Sequence, residues 1–335
     1  MKQILLVLIC IMSLFSCSNE ISDSFKTADD GRKPIKVDTY AMGVTKADAI
    51  TIDDIKQNSF WLYADIDGDG TNVIDDYVWW DEETQEWIIG DGQTTYYWPE
   101  DISSKVTFYA VTATDCDLSE GDGSPFNSDI VVSGMVLDGD RDYVTAMQTV
   151  SLAANPSGTV TLNFGHILAA VKILARGTSE AHIHTIGPIF LYGFVSQAGY
   201  YITDKMFFYE PIEVDFEDWE NMMNHRLEMN DSYLIADVFR YGNGYELDLE
   251  KYIEVSDTKF ILPDIEYPLE VYYFVRPLDG VQTYYPSKFA KFTPKAGCMN
   301  ILKIDLSPEA TEISVDVVPM ADWKNNNTDT PNLND

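Results

Sequence analysis

The sequence is short of cysteine, of basic residues and of histidine, and each shortage closes off a class of function. Four cysteines in 335 residues are too few for a disulfide scaffold. Cys116 and Cys298 stand so far apart that free, buried thiols are the expectation. Lys and Arg together number 22 against 55 Asp and Glu, for a formal net charge of −33. A nucleic-acid-binding face needs clustered positive charge, so no nucleic acid partner is expected. With only four histidines, and with no G-x-S-x-G, no Cys/His pairing and no glycine-rich phosphate loop, no catalytic constellation is recognisable. The many carboxylates do not supply one, because among so many some pair falls at glycosidase distance by chance. The chain is therefore not expected to be an enzyme or to require a cofactor.

Long apolar runs are also missing. The one sustained run, residues 4–15, is well short of the ~20 residues that span a bilayer. It follows Lys2 and closes in Leu14-Phe15-Ser16-Cys17. A positive charge, a short apolar stretch and a small residue directly before Cys form a lipoprotein signal: residues 1–16 are removed and Cys17 carries the lipid. Residues 17–34 are polar, lack apolar periodicity and read as a tether.

What is present is β-forming sequence. Residues 60–64 (FWLYA), 77–80 (YVWW), 106–111 (VTFYAV), 159–164 (TVTLNF), 167–174 (ILAAVKIL), 269–276 (LEVYYFVR), 299–306 (MNILKIDL) and 312–318 (EISVDVV) are rich in Val, Ile, Thr and aromatics. Turn formers such as Asp67-Gly68 and Asp91-Gly92 separate several of them. In 159–164, Thr159, Thr161 and Asn163 alternate with Val160, Leu162 and Phe164, which is half-buried antiparallel sandwich behaviour. One helix is expected, over 215–227, where Trp219, Met223 and Leu227 recur at spacing four. About 300 ordered residues exceed one sandwich core, so two domains are expected.

Three constellations stand out. Asp65, Asp67, Asp69 and Asp76 occupy positions one, three, five and twelve of a D-x-D-x-D-G loop, a spacing that wraps oxygens around Ca²⁺. Position twelve is Asp where Glu is usual, and the flanks read as strands, so an acidic turn is the alternative. His182 and His184 would share one face of a strand without a visible third ligand, and read as ordinary polar residues. Aromatics make up 13% of the chain. Most belong to cores, but adjacent rings at Trp79-Trp80 and Tyr96-Tyr97-Trp98 cannot all point inward. A glycan or host-ligand platform is therefore the competing class of function.

Four segments resemble the fimbrillin family of Bacteroidales lipoproteins, the subunits of type V pili. They are Val44-Thr45-Lys46-Ala47 with 60–64, Tyr96-Tyr97-Trp98-Pro99 leading into 106–111, the stretch 160–171 (VTLNFGHILAAV), and 315–323 (VDVVPMADW). Together they span nearly the whole chain after the signal. The resemblance implies an all-β fold of two tandem transthyretin-like antiparallel β-sandwich domains, residues 35–166 and 167–324, with a polar tail over 325–335. His166 at the junction reads as a hydrogen-bonded structural residue.

The resemblance also implies a surface-exposed place on the outer membrane, held by lipid through Cys17, and assembly with other fimbrial subunits. Proteolysis after a basic residue would remove the first strand, residues 35–44, and a strand from the next subunit would fill the groove. Lys46 is the candidate cut, with Arg32 the alternative, since fimbrillins tend to carry Arg there; a cut at Arg32 would leave the strand attached. The candidate donor is the C-terminal strand, where Ile313, Val315 and Val317 alternate with Ser314, Asp316 and Val318. The same pattern suits an ordinary last strand of its own domain.

Overall fold

The computed structural model describes residues 31–41, 50–66, 71–113, 131–178, 182–209, 232–236, 245–277, 283–284, 288–306 and 312–319. Cys17, Lys46, Asp67, Asp69 and Cys116 lie outside them, as does the helix expected over 215–227. In the first half, β1 (Lys36–Ala41), α1 (Ile52–Asn58), β2 (Phe60–Ile66), β3 (Thr71–Asp81), β4 (Glu86–Ile89), β5 (Lys105–Ala113), β6 (Val131–Val136), β7 (Tyr143–Ser151) and β8 (Thr159–His166) follow in order. The second half holds β9 (Ala169–Gly177), β10 (His182–Tyr192), β11 (Gln197–Tyr201), β12 (Met206–Phe208), β13 (Ser232–Ala236), β14 (Tyr245–Glu246) and β15 (Ile253–Glu254). It ends with β16 (Lys259–Ile261), β17 (Tyr267–Pro277), β18 (Thr283–Tyr284), β19 (Lys288–Phe292), β20 (Cys298–Leu306) and β21 (Glu312–Pro319).

The fold is all-β, as the alternating sequence implies. A 7-stranded sheet runs β1-β8-β7-β5-β2-β3-β4. A second sheet runs β15-β9-β20-β21, with β16 also on β9, and faces a third built on β13-β10-β17-β18. β5 shows why the first sheet is central: beyond Lys105 every residue is buried. Val106, Phe108 and Ala110 enter one hydrophobic cluster, whereas Tyr109, Val111 and Ala113 enter the other. In the first cluster Phe60 meets Phe164 and Trp87 edge-on, each at 5.2 Å between ring centroids. Each such fully buried ring contributes roughly 1.5–3 kcal/mol.

The chain leaves one cluster at Phe164 and enters the other at Ile167. The division is not clean, however. β11 from the second half pairs with β6 from the first, and β12 completes a 3-stranded sheet. Trp61 and Tyr109 of the first half also belong to the second half's cluster.

Not every pairing is antiparallel. β1 lies parallel to β8, with Lys36 opposite Thr159 and Ala41 opposite Phe164. β9 lies parallel to β20, with Met299 opposite Ala170 and Leu306 opposite Gly177. The helix α1 starts on a capping box, in which Thr51 Oγ1 accepts from the Asp54 N–H at 3.2 Å and Asp54 Oδ2 accepts from the Thr51 N–H at 2.7 Å. It ends where Ser59 turns to φ 66°, a conformation that cannot continue a helix.

Candidate functional site

The first strand is held unevenly. Its start is fastened on two sides: the Lys36 N–H donates to Gly158 O (3.1 Å), the Ile35 N–H to Tyr96 O (2.8 Å) and the Trp98 N–H to Lys33 O (3.0 Å). Lys33 Nζ reaches Pro156 O at 2.8 Å. Gly158 is required at this crossing. It sits at φ +75°, and a Cβ there would lie 2.9 Å from Lys33 Cε and 3.2 Å from Pro34 O. Beyond Lys36 the strand pairs with β8 alone among the described strands. Ile35 and Val37 are buried against Val160, Leu162 and Phe164, while Asp38 and Tyr40 face outward and Tyr40 is 59% exposed. The Thr39 N–H points to the open edge, where Asp38 Oδ1 accepts it at 2.8 Å. The charged side chain thus blunts an edge that would otherwise offer a free donor.

The two edges of the 7-stranded sheet face each other across a groove of about 480 Å³. Ile35, Val37 and Asp38 line one side, and Trp80, Trp87 and Tyr96 the other. Lys36 and Glu86 bridge it at 3.5 Å. The ammonium of Lys56 lies 4.1 Å from the Trp80 ring centroid. Burial, followed by the hydrogen bond to Asp76 (2.9 Å), pushes the Tyr96 phenol up to about 12. The groove thus has aromatic rings on one wall, with Lys36, Asp38 and Glu86 the charged residues of its lining.

At the other end of the chain, β21 is an edge strand on β20. The candidate donor residues sit on the core face of their own sheet: Ile313 opposite Ile304, Val315 opposite Leu302 and Val317 opposite Asn300. Leu302, Ile304 and Asn300 are fully buried, yet Val315 and Val317 remain 38% and 39% exposed. On the opposite face Asp316 pairs with Lys303 at 2.7 Å. The monomer therefore seats this strand on its own second half while leaving Val315 and Val317 partly exposed.

His166 is placed as the junction residue expected. Its Nδ1 lies 2.6 Å from Asp142 Oδ2, which also accepts the Ile50 N–H at 3.1 Å. Asp142 is wholly buried. The pair ties β8, the start of β7 and the residue that resumes the described chain after β1. Asp142 carried no signal in the sequence, since its partners lie 92 and 24 residues away. Arg32, the alternative cut, stacks on Tyr97 at 4.7 Å and precedes β1.

Of the four carboxylates of the acidic loop, only Asp65 and Asp76 fall among the described residues. Asp65, 1% exposed, pairs with Asn72, and Asp76 lies opposite Leu62. That register sets Asp76 about 10 Å along the ladder from Asp65. Asp76 is already engaged by the Tyr96 hydroxyl and the Tyr77 N–H. His182 and His184 sit on β10 opposite Pro277 and Val275. Among the described residues no three His, Cys, Asp or Glu side chains form a metal-binding group. Cys298 is a free thiol, half-buried, with its pKa raised by that burial.

No protein-family model and no curated protein matches the sequence. Solved structures do match. A fimbrial protein from Bacteroides vulgatus aligns over 87% of this chain and 99% of its own, at 12% identity and a TM-score of 0.59. A candidate cell adhesion protein from Bacteroides ovatus aligns over 86% and 98%, at 14% identity and a TM-score of 0.49. A fimbrial assembly protein from Parabacteroides distasonis aligns over 86% and 100%, at 11% identity and a TM-score of 0.42. Along nearly its whole length, this chain has the fold of a fimbrial protein.

Proposed function

We propose that the chain is a fimbrial subunit, exported to the outer-membrane surface as a lipoprotein on Cys17 and assembled by strand replacement. In this reading a cut after Lys46 frees β1, and β21 of another copy takes its place on β8. The observation that carries it is the uneven attachment of β1. A cut at Lys46 releases the end held by one ladder, so the strand can peel from Ala41 toward Lys36. A cut at Arg32 would release the end fastened on two sides and leave the ladder intact. Parallel pairing is also somewhat weaker per residue than antiparallel pairing, which favours a strand able to enter in the other direction. The role is structural, and its partners are other fimbrial subunits.

N-terminal sequencing of surface material, with electron microscopy of the same sample, tests this. Ala47 at the N-terminus of polymers is the expected result. Polymers whose subunits still begin at Cys17 would overturn it. The groove with Trp80, Trp87 and Tyr96 on its wall favours one competitor, a non-polymerising surface lipoprotein that binds glycans or host ligands. An intact monomer that binds on a glycan array, and loses binding on Trp80→Ala, would support that role instead.

A further inference from the structure

We propose that Thr39 is the built-in weak point of β1, and that it biases replacement toward the β21 strand of a second copy. The inference rests on the strand-replacement reading above and assigns its direction to one side chain. Thr39 faces the core opposite Leu162, itself fully buried. Its Oγ1 is buried and meets no hydrogen-bond partner among the described residues. A hydroxyl in that position gives up its bonds to water and receives none in return. The neighbouring inward residues, Ile35 and Val37, are apolar, so the polar atom is out of keeping with its row. Thr and Val have nearly the same outline. The defect is therefore chemical rather than steric, and the seat fits a β-branched side chain that ends in methyl groups.

β21 carries such a row. Ile313, Val315 and Val317 recur every second residue, with Ser314 and Asp316 between them. Any strand that fills the Val37 and Thr39 seats with neighbours from this row puts Ile or Val where Thr39 sat, whichever direction it runs. The residue between the two seats is then Ser314 or Asp316, in the outward place that exposed Asp38 occupies in β1. The incoming strand thus keeps the in–out pattern of the outgoing one and corrects its one polar mismatch. While the chain is continuous, tethering holds β1 in place by its high local concentration. Once the chain is cut, the difference at the Thr39 seat decides which strand stays.

The test uses the full mature chain with a specific protease site in place of residues 44–48, cut and then mixed with a fluorescent peptide of residues 312–319. Thr39→Val should raise the melting temperature of the uncut protein by roughly 2 to 4 °C. After cutting, it should slow peptide uptake by about tenfold. Thr39→Ser keeps the hydroxyl and loses a methyl, and should take up peptide faster than wild type. A peptide carrying Val315→Thr and Val317→Thr should lose its advantage over the native one. Equal or faster uptake by Thr39→Val, or an unchanged melting temperature, would overturn the inference while leaving strand replacement standing. A cut wild-type protein that never takes up peptide would overturn strand replacement and this inference with it.

Discussion

Each half of the molecule opens with a strand that lies parallel to a later one, yet the two are held very differently. β9 has a ladder on both sides, β20 on one and β15 with β16 on the other, and seven of its nine residues are buried. Among the described residues β1 has one ladder, a charged side chain blunting its free edge, and a buried Thr39 hydroxyl without a partner. The same pairing geometry therefore goes with a strand held on both sides in one half and a strand held on one side in the other. What differs is the number of neighbours and the quality of the inward row.

The largest expected effect comes from placing a carboxylate in each strand. Ile173→Asp in β9 buries an unpaired charge where no strand can leave, a cost of several kcal/mol that is comparable to the stability of a domain. That variant should show no cooperative melting by circular dichroism. Val37→Asp in β1 should fold and melt at a lower temperature, because β1 can vacate its seat. A Val37→Asp chain that also fails to fold would break the comparison.

His166→Ala comes next. It strips a partner from wholly buried Asp142 and should cost about 3 kcal/mol, read as a shift in the denaturant midpoint. Gly158→Ala is smaller. The added Cβ crowds Lys33 and Pro34 at positive φ, so it should cost about 1 kcal/mol and speed release of β1 from the cut chain without altering the second half.

The smallest effect is alkaline. Tyr96 in the first half and Tyr252 in the second are both pushed up to about 12, each by burial first and then by a hydrogen bond to an aspartate. The fold favours the neutral phenol. Its contribution is complete below the unfolded value near 10 and is lost as pH rises toward 12. Tyr96→Phe and Tyr252→Phe should each remove one late-titrating tyrosine from the absorbance at 295 nm. A titration finished by about pH 11 would contradict this.

Much of the fold was legible because the core strands carry their own signal. The apolar runs at 60–64, 106–111, 159–164 and 299–306 each fall inside β2, β5, β8 or β20. Their alternation also told which residues of β8 face inward. The helix signal at Thr51-x-x-Asp54 was present but is easily overlooked, since α1 buries only Ile55. Parallel partnering of β1 and β9 was not legible, because pairing partners more than a hundred residues apart leave no local pattern. The β6–β11 pairing that crosses the expected domain boundary was hidden likewise, its partners lying some sixty to seventy residues apart. In the acidic loop the twelve-residue spacing did not show that its last position, Asp76, falls within the strand Thr71–Asp81.

Hydrogen exchange by mass spectrometry, on the uncut chain and again after cutting in place of residues 44–48, tests the removable-strand claim most directly. The account predicts that β1 amides exchange faster than those of β9 before the cut, and lose protection after it while β8 and β9 keep theirs. Equal protection of β1 and β9 in both states would contradict it.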